Sequence, residues 1–104
     1  MKTENRTMKS MPASERPYEK CEAYGPEALS DAELLAVILR SGTRQMTSLE
    51  LARELLSRFG RSRGLGFLRE VTREELQSVP GIGPVKATEL LAAGELIHIA
   101  EDQL

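Results

Sequence analysis

Ser78-Val79-Pro80-Gly81-Ile82-Gly83-Pro84-Val85-Lys86-Ala87 reads as a tight glycine turn that feeds directly into a helix with a lysine in its first turn. Gly81 and Gly83 can adopt φ > 0 and admit close backbone approach, and the fixed φ of Pro84 suits a first helical position. A helix starting here presents N–H groups and a positive dipole end to an anion, and Lys86 adds a full charge. A cation at this end opposes the dipole, a small cost in stability that points to an anionic ligand. Upstream, Thr72-Arg73-Glu74-Glu75-Leu76 has the spacing of a capping box and predicts a short helix over about 73–78. The unit is therefore helix, hairpin, helix. The plainer reading of the same residues is a glycine-containing turn that only joins two antiparallel helices.

Val79-Pro80-Gly81-Ile82-Gly83 resembles the signature of the helix-hairpin-helix motif, an apolar residue, often Pro, then Gly, an apolar residue and Gly. In that motif hairpin amides grip the sugar-phosphate backbone of DNA without reading its sequence. The resemblance implies a site at Gly81, Ile82, Gly83 and Val85, with phosphate contacts from the amides of Gly81, Gly83 and Val85, and with Lys86 beside them. Some members also hold a monovalent cation on hairpin carbonyls, which here would be those of Gln77, Val79 and Ile82.

A chain of 104 residues with 40% hydrophobic content supports one compact domain with a modest core, and two Tyr, two Phe and no Trp make that core aliphatic. No apolar run is long enough for a membrane span, and the polar N-terminus has no apolar signal-peptide core, so a cytoplasmic protein without a membrane partner is expected. The single cysteine, Cys21, forms no internal disulfide and is read as a small buried hydrophobe. The formal net charge of −2 disfavours a strongly basic nucleic-acid binder. Its distribution is uneven. Residues 40–69 carry seven arginines against Glu50 and Glu54, whereas residues 70–104 carry Arg73 and Lys86 against seven acids. The hairpin thus sits in an acidic half. Arg58, Arg61 and Arg63, clustered around Gly60, are better candidates for added phosphate contacts than the helical arginines, although such a set is more often a solvated face than a DNA groove.

Residues 1–14 show no periodicity and read as a flexible tail ahead of a helical domain over 15–104. A short helix is predicted over 17–24, stopped by Gly25-Pro26. Ser30-Asp31-Ala32-Glu33 is a capping box ahead of Leu34, Leu35, Ile38 and Leu39, with Gly42 placed as the residue just past the helix end. Thr47-Ser48-Leu49-Glu50 repeats the device before the apolar stripe Ala52, Leu55, Leu56 and Phe59. A short helix over 64–71 follows, then the helix over 73–78, then one over 84–100 that buries Ala87, Leu90, Leu91, Gly94 and Ile97. No alternation of period two occurs, so the expected fold is all-α, a five-helix bundle of two helix-hairpin-helix units. The turn after Leu39 occupies the place in the first unit that the glycine hairpin holds in the second. Ser41, Gly42, Thr43 and Arg44 there are read either as further phosphate ligands or as a purely structural repeat. Tyr18 and Tyr24 are read as packing residues, and His98 as an ordinary residue near a helix end.

Arg16-Pro17-Tyr18-Glu19-Lys20, the leucine-rich block Leu29-Ser30-Asp31-Ala32-Glu33-Leu34-Leu35-Ala36-Val37-Ile38-Leu39-Arg40-Ser41-Gly42, and the glycine hairpin together resemble the N-terminal region of the bacterial RadC family, named as DNA repair proteins. The resemblance covers about residues 16–96 and is most specific in the leucine-rich block. Members normally continue into a JAMM/MPN metalloprotease-type domain with clustered zinc ligands. Here His98 is the only histidine, so no metal site is carried over. The resemblance implies a DNA-associated helical domain cut from a longer protein.

No nucleophile, base and orienting group fall within one cluster, and His98 and Cys21 lie far apart in the chain. No catalytic residue, metal or cofactor is therefore assigned. Two readings stand at this point. One is a sequence-independent DNA-binding domain; the other is a protein-interaction module that docks a partner or the absent C-terminal domain.

Overall fold

Helix starts in this chain are set by side chains that satisfy the backbone amides a helix leaves open. Ser30 and Glu33 exchange bonds of 3.3 and 2.8 Å, Thr47 and Glu50 of 3.0 and 2.9 Å, and Thr72 and Glu75 of 3.1 and 2.9 Å, so all three predicted capping boxes form. The computed structural model describes residues 16–104 and is all-α; the tail expected over 1–14 lies outside the described residues. The helices are α1 (Pro17–Tyr24), α2 (Asp31–Leu39), α3 (Ser48–Phe59), α4 (Arg73–Gln77) and α5 (Pro84–Asp102), with 3₁₀ turns at Pro26–Ala28 and Gly64–Arg69. Among the described residues there is no strand. The chain divides within α3 into two compact units, one up to Glu54 and one from Leu55.

In the first unit α1 packs on α2. Gly25 ends α1 at φ +88° and donates its N–H to the Cys21 carbonyl, as the Gly25-Pro26 stop predicts. Pro17, Leu29, Leu35, Ala36, Leu39, Leu49, Leu51 and Ala52 are its buried apolar side chains. Ile38, expected on the inner face of α2, is exposed, because residue 36 rather than 38 completes the buried arc. Tyr18 and Tyr24, expected to pack, are also exposed. Tyr18 instead lies under the Arg40 guanidinium, 5.8 Å from its ring centroid. Lys20 Nζ bridges from α1 to the Glu33 carboxylate on α2 at 3.0 Å.

In the second unit α5 packs against the 3₁₀ turn Gly64–Arg69 and against α4. Residues 64–71 were expected to form an α-helix; the observed turn is tighter and shorter, because Gly64 adopts φ +55° and two glycines weaken helix propagation. Phe59 and Phe67 stack at 5.8 Å between centroids. Ala87, Leu90 and Gly94 are the buried residues of α5, with Leu91 and Ile97 half-buried. Gly94 has a steric reason to lack a side chain, since a Cβ there would overlap the Leu68 carbonyl oxygen. The contact is flanked by polar ties. Arg69 reaches Glu101 at 2.9 Å and His98 Nδ1 at 2.8 Å, and Arg73 donates to the Thr88 hydroxyl at 3.0 Å. Because a guanidinium only donates, His98 Nδ1 is the acceptor, and its Nε2 lies 3.4 Å from the Asp102 carboxylate.

Two outcomes follow from this packing. Gly94→Ala gains about 1 kcal/mol of helix propensity, yet the methyl meets backbone that cannot rotate away, so urea denaturation should show a net loss of about 2 kcal/mol. Bonds from the Ser30 amide and then from Lys20 hold the Glu33 carboxyl below the ordinary glutamate range. A depressed folded value means that this stabilisation is complete above the ordinary glutamate range and is lost as pH falls through the lower folded one. A Glu33 titration followed by NMR should place its midpoint below that of an exposed glutamate, and Lys20→Met should raise it.

Candidate nucleic-acid interface

The connection from α4 to α5 is built from alternately buried and open residues. Leu76, Val79 and Ile82 are buried, while Pro80 and Gly81 between the last two are exposed. The Val79 carbonyl accepts the Ile82 N–H at 3.0 Å, and Gly81 has φ +98°. With Pro80 before it, this is the arrangement of a type II turn, which needs a positive φ at its third residue. Ile82 therefore plays a different part from its neighbours: its side chain anchors the hairpin in the core, and its amide closes the turn. The Val79 carbonyl, one of the three that the resemblance assigns to a monovalent cation, accepts that closing bond.

Gly83 departs from the expected conformation. Its φ is −97° and its ψ −167°, an extended geometry open to any residue, and a Cβ added there would meet nothing within 4 Å. Neither a positive φ nor internal crowding requires glycine at this position. Gly83 is the N-cap of α5, and no side chain caps this helix, unlike α2, α3 and α4. Pro84 follows as the first helical residue and contributes no N–H. Val85 is 71% exposed and Lys86 half-buried in that first turn. The result is an uncapped helix N-terminus with an open approach over Gly83, able chemically to donate amide hydrogen bonds to an anion.

The connection from α2 to α3 is made differently. It opens on Arg40, a non-glycine residue at φ +67° and ψ −51°, where the Ser41 N–H bonds back to the Leu39 carbonyl at 2.7 Å. This is a γ-turn of the strained hand. It ends α2 at Arg40, so Gly42 is not the residue just past the helix end. Gly42 is needed because a Cβ there would overlap the Met46 carbonyl oxygen and stand 2.8 Å from the Ser48 nitrogen. The Thr43 N–H donates to the Met46 carbonyl at 2.8 Å, and its hydroxyl accepts the amides of Gln45 and Met46 at 3.1 and 3.0 Å. Gly42 and Thr43 thus hold the loop's own shape, while Ser41 and Arg44 are exposed. This loop carries neither the glycine turn nor the uncapped helix start of the second connection.

Arg58, Arg61 and Arg63 are all exposed. Arg58 and Arg63 come together on the wall of a cleft of about 300 Å³ that also holds Phe59, Phe67, Glu70 and Glu75. Arg63 forms an ion pair with Glu70. Pairs this exposed contribute little to stability and yield readily to a better partner. The acids beside them nonetheless reduce the local positive potential that sequence counting alone suggests. Among the described residues no group of three or more His, Cys, Asp and Glu side chains is placed to hold a metal ion, and no helix is long and apolar enough to cross a membrane.

The model of the family described as UPF0758 N-terminal matches residues 8–88. Among relatives, the "UPF0758 protein" of Desulforudis audaxviator is 53% identical over 90 residues, which are 86% of this chain and 38% of the relative. That of Dechloromonas aromatica is 54% identical over 93 residues, 88% of this chain and 40% of the relative. That of Geobacillus thermodenitrificans is 46% identical over 89 residues, 86% and 38% of the two chains. The chain thus spans about two fifths of the length of the curated relatives it matches. No solved structure matches it significantly.

The two hairpin glycines should separate in their response to substitution. Gly81→Ala forces a Cβ into a positive-φ conformation and should cost about 1–2 kcal/mol in chemical denaturation. Gly83→Ala meets open space at an ordinary φ and should cost less than about 1 kcal/mol, mainly through the poorer N-cap.

Proposed function

The chain belongs to the UPF0758 family, the RadC family that its motifs resemble, and from that premise we propose that it is a non-catalytic domain that binds DNA without sequence preference. The observation that carries this reading is the hairpin at residues 79–86. A type II turn directs the chain into a helix whose first amides are uncapped, and Gly83 leaves the approach to them clear although nothing inside the fold requires a glycine there. A phosphate fits that place on two grounds: a positive dipole end that no side chain caps, and the Lys86 charge next to it. Backbone amides hold a phosphate whatever the base attached to it, so the binding carries no sequence information. Arg58, Arg61 and Arg63 add cationic groups in the same unit, and in the first unit Ser41 and Arg44 are the exposed groups of a weaker auxiliary contact.

The size of the effect follows from the small number of phosphates. With about one to three neutralised, affinity falls in the nonspecific range of about 10⁻⁴ to 10⁻⁶ M, and the logarithm of the binding constant changes with log salt by about −0.9 per phosphate. The acidic residues of α5 keep the interaction in that range.

A second reading, a protein-interaction module, is favoured by one observation. The outward side of α5 is apolar where solvent would favour charge: Leu96 is 70% exposed and Ile99 44%.

The test is amide chemical-shift mapping during titration with a short duplex and with single-stranded and branched DNA at low salt. Shifts centred on residues 81–86 are expected, with Lys86→Gln lowering the salt slope by about 0.9. Gly83→Val should stay folded, because φ at Gly83 is ordinary, and should lose binding at least tenfold by closing the approach to the amides. A folded Gly83→Val that binds DNA as the parent does, or a salt slope near zero, overturns the reading.

A further inference from the structure

Helix α5 is apolar on two sides. One side carries Ala87, Leu90 and Gly94 into the core. Ala92, Leu96, Ile99 and Ala100 recur at helical spacing on the opposite side, and all four are exposed. Glu89 interrupts this outward stripe, and Glu95 and Asp102 border one edge of it. We propose that the stripe is the docking face for the region that the longer chains of the family carry after their N-terminal one, through an aliphatic surface edged with basic side chains. The proposal deepens the protein-interaction reading and is independent of the DNA one.

Three observations select this occupant. The first is area. Four small and medium side chains bury on the order of a few hundred Å², well short of the roughly 1,200–2,000 Å² of a stable interface between free partners. A tethered partner needs far less, because a short connection supplies an effective concentration of about millimolar. The second is continuity. The matched N-terminal region ends at residue 88, within α5, and the relatives are matched over only 38–40% of their length, so their remaining region follows this helix. The third is charge. A second copy of this chain would bring Glu89, Glu95 and Asp102 against their own equivalents, whereas a basic-edged surface would meet them favourably.

Hydroxyl-radical footprinting tests this on two chains: the 104-residue chain, and the same chain fused to the part of the Desulforudis audaxviator relative that follows its matched segment. Oxidation of Leu96 and Ile99 should slow about fivefold or more in the fused chain, with the exposed Tyr24 unchanged as the internal reference. Equal oxidation rates in the two chains overturn the proposal. If equal rates are accompanied by protection of Leu96 in the 104-residue chain that grows with its concentration, the face pairs copies of this chain; the interaction reading then survives and the named partner does not. Equal rates without any concentration dependence remove both.

Discussion

The second unit depends on how closely α5 approaches the 3₁₀ turn Gly64–Arg69. A helix backbone can lie against another backbone only where the intervening residue has no Cβ, and Gly94 is that residue, set against the Leu68 carbonyl. Glycine in mid-helix works against helix formation by about 1 kcal/mol, and the burial of Phe67, Leu68, Ala87 and Leu90 around the contact offsets it. Arg69 reaches across to His98 and Glu101 beyond the contact, and Arg73 to Thr88 before it, so the helix is held on both sides of its pivot. Once α5 is placed, its N-terminus is placed too, and with it the hairpin amides.

The hairpin in turn owes its form to burial on one side and openness on the other. Val79 and Ile82 are pulled into the core while the residues between them must reverse the chain in the open, and that geometry asks for a positive φ at Gly81. Gly83 answers to no such demand. Its missing side chain leaves the start of α5 without the cap that α2, α3 and α4 possess; α1, which also opens on proline, likewise has no side-chain cap. Charge runs against this arrangement in the stretch of chain that holds the hairpin, because residues 70–104 are acidic. Short-range donors acting at hydrogen-bond distance suffer less from that background than a diffuse arginine surface would. Among those arginines, Arg63 is already paired with an acid, Glu70.

Much of this was legible in the chain. The capping boxes at Ser30, Thr47 and Thr72 named three helix starts correctly, since each rests on contacts between residues three apart. The glycine turn at Gly81 and the stop at Gly25 were readable for the same local reason. The end of α2 was not: a γ-turn on Arg40 replaces the expected glycine termination because Gly42 is required elsewhere, beneath the Met46 carbonyl. Thr43, read as a phosphate ligand, bonds within its own loop, and no local pattern separates those two uses of a hydroxyl. The outward apolar stripe of α5 was present in the spacing of residues 92, 96, 99 and 100. It went unread because a helix apolar on two opposite sides gives no single face to periodicity.

The sequence by itself determined that the chain is helical, where most helices begin, that a glycine turn precedes α5, and to which family the chain belongs. These depend on interactions spanning a few residues, or on residue identity alone. Tertiary structure decided which glycines are there for conformation, which for close packing, and which for neither: Gly81 for its φ, Gly42 and Gly94 for backbone approach, Gly83 for no internal reason. It likewise decided which arginines meet acids and which side of α5 faces out. Those outcomes turn on what lies across the fold from each residue, and a one-dimensional pattern carries no record of that neighbour.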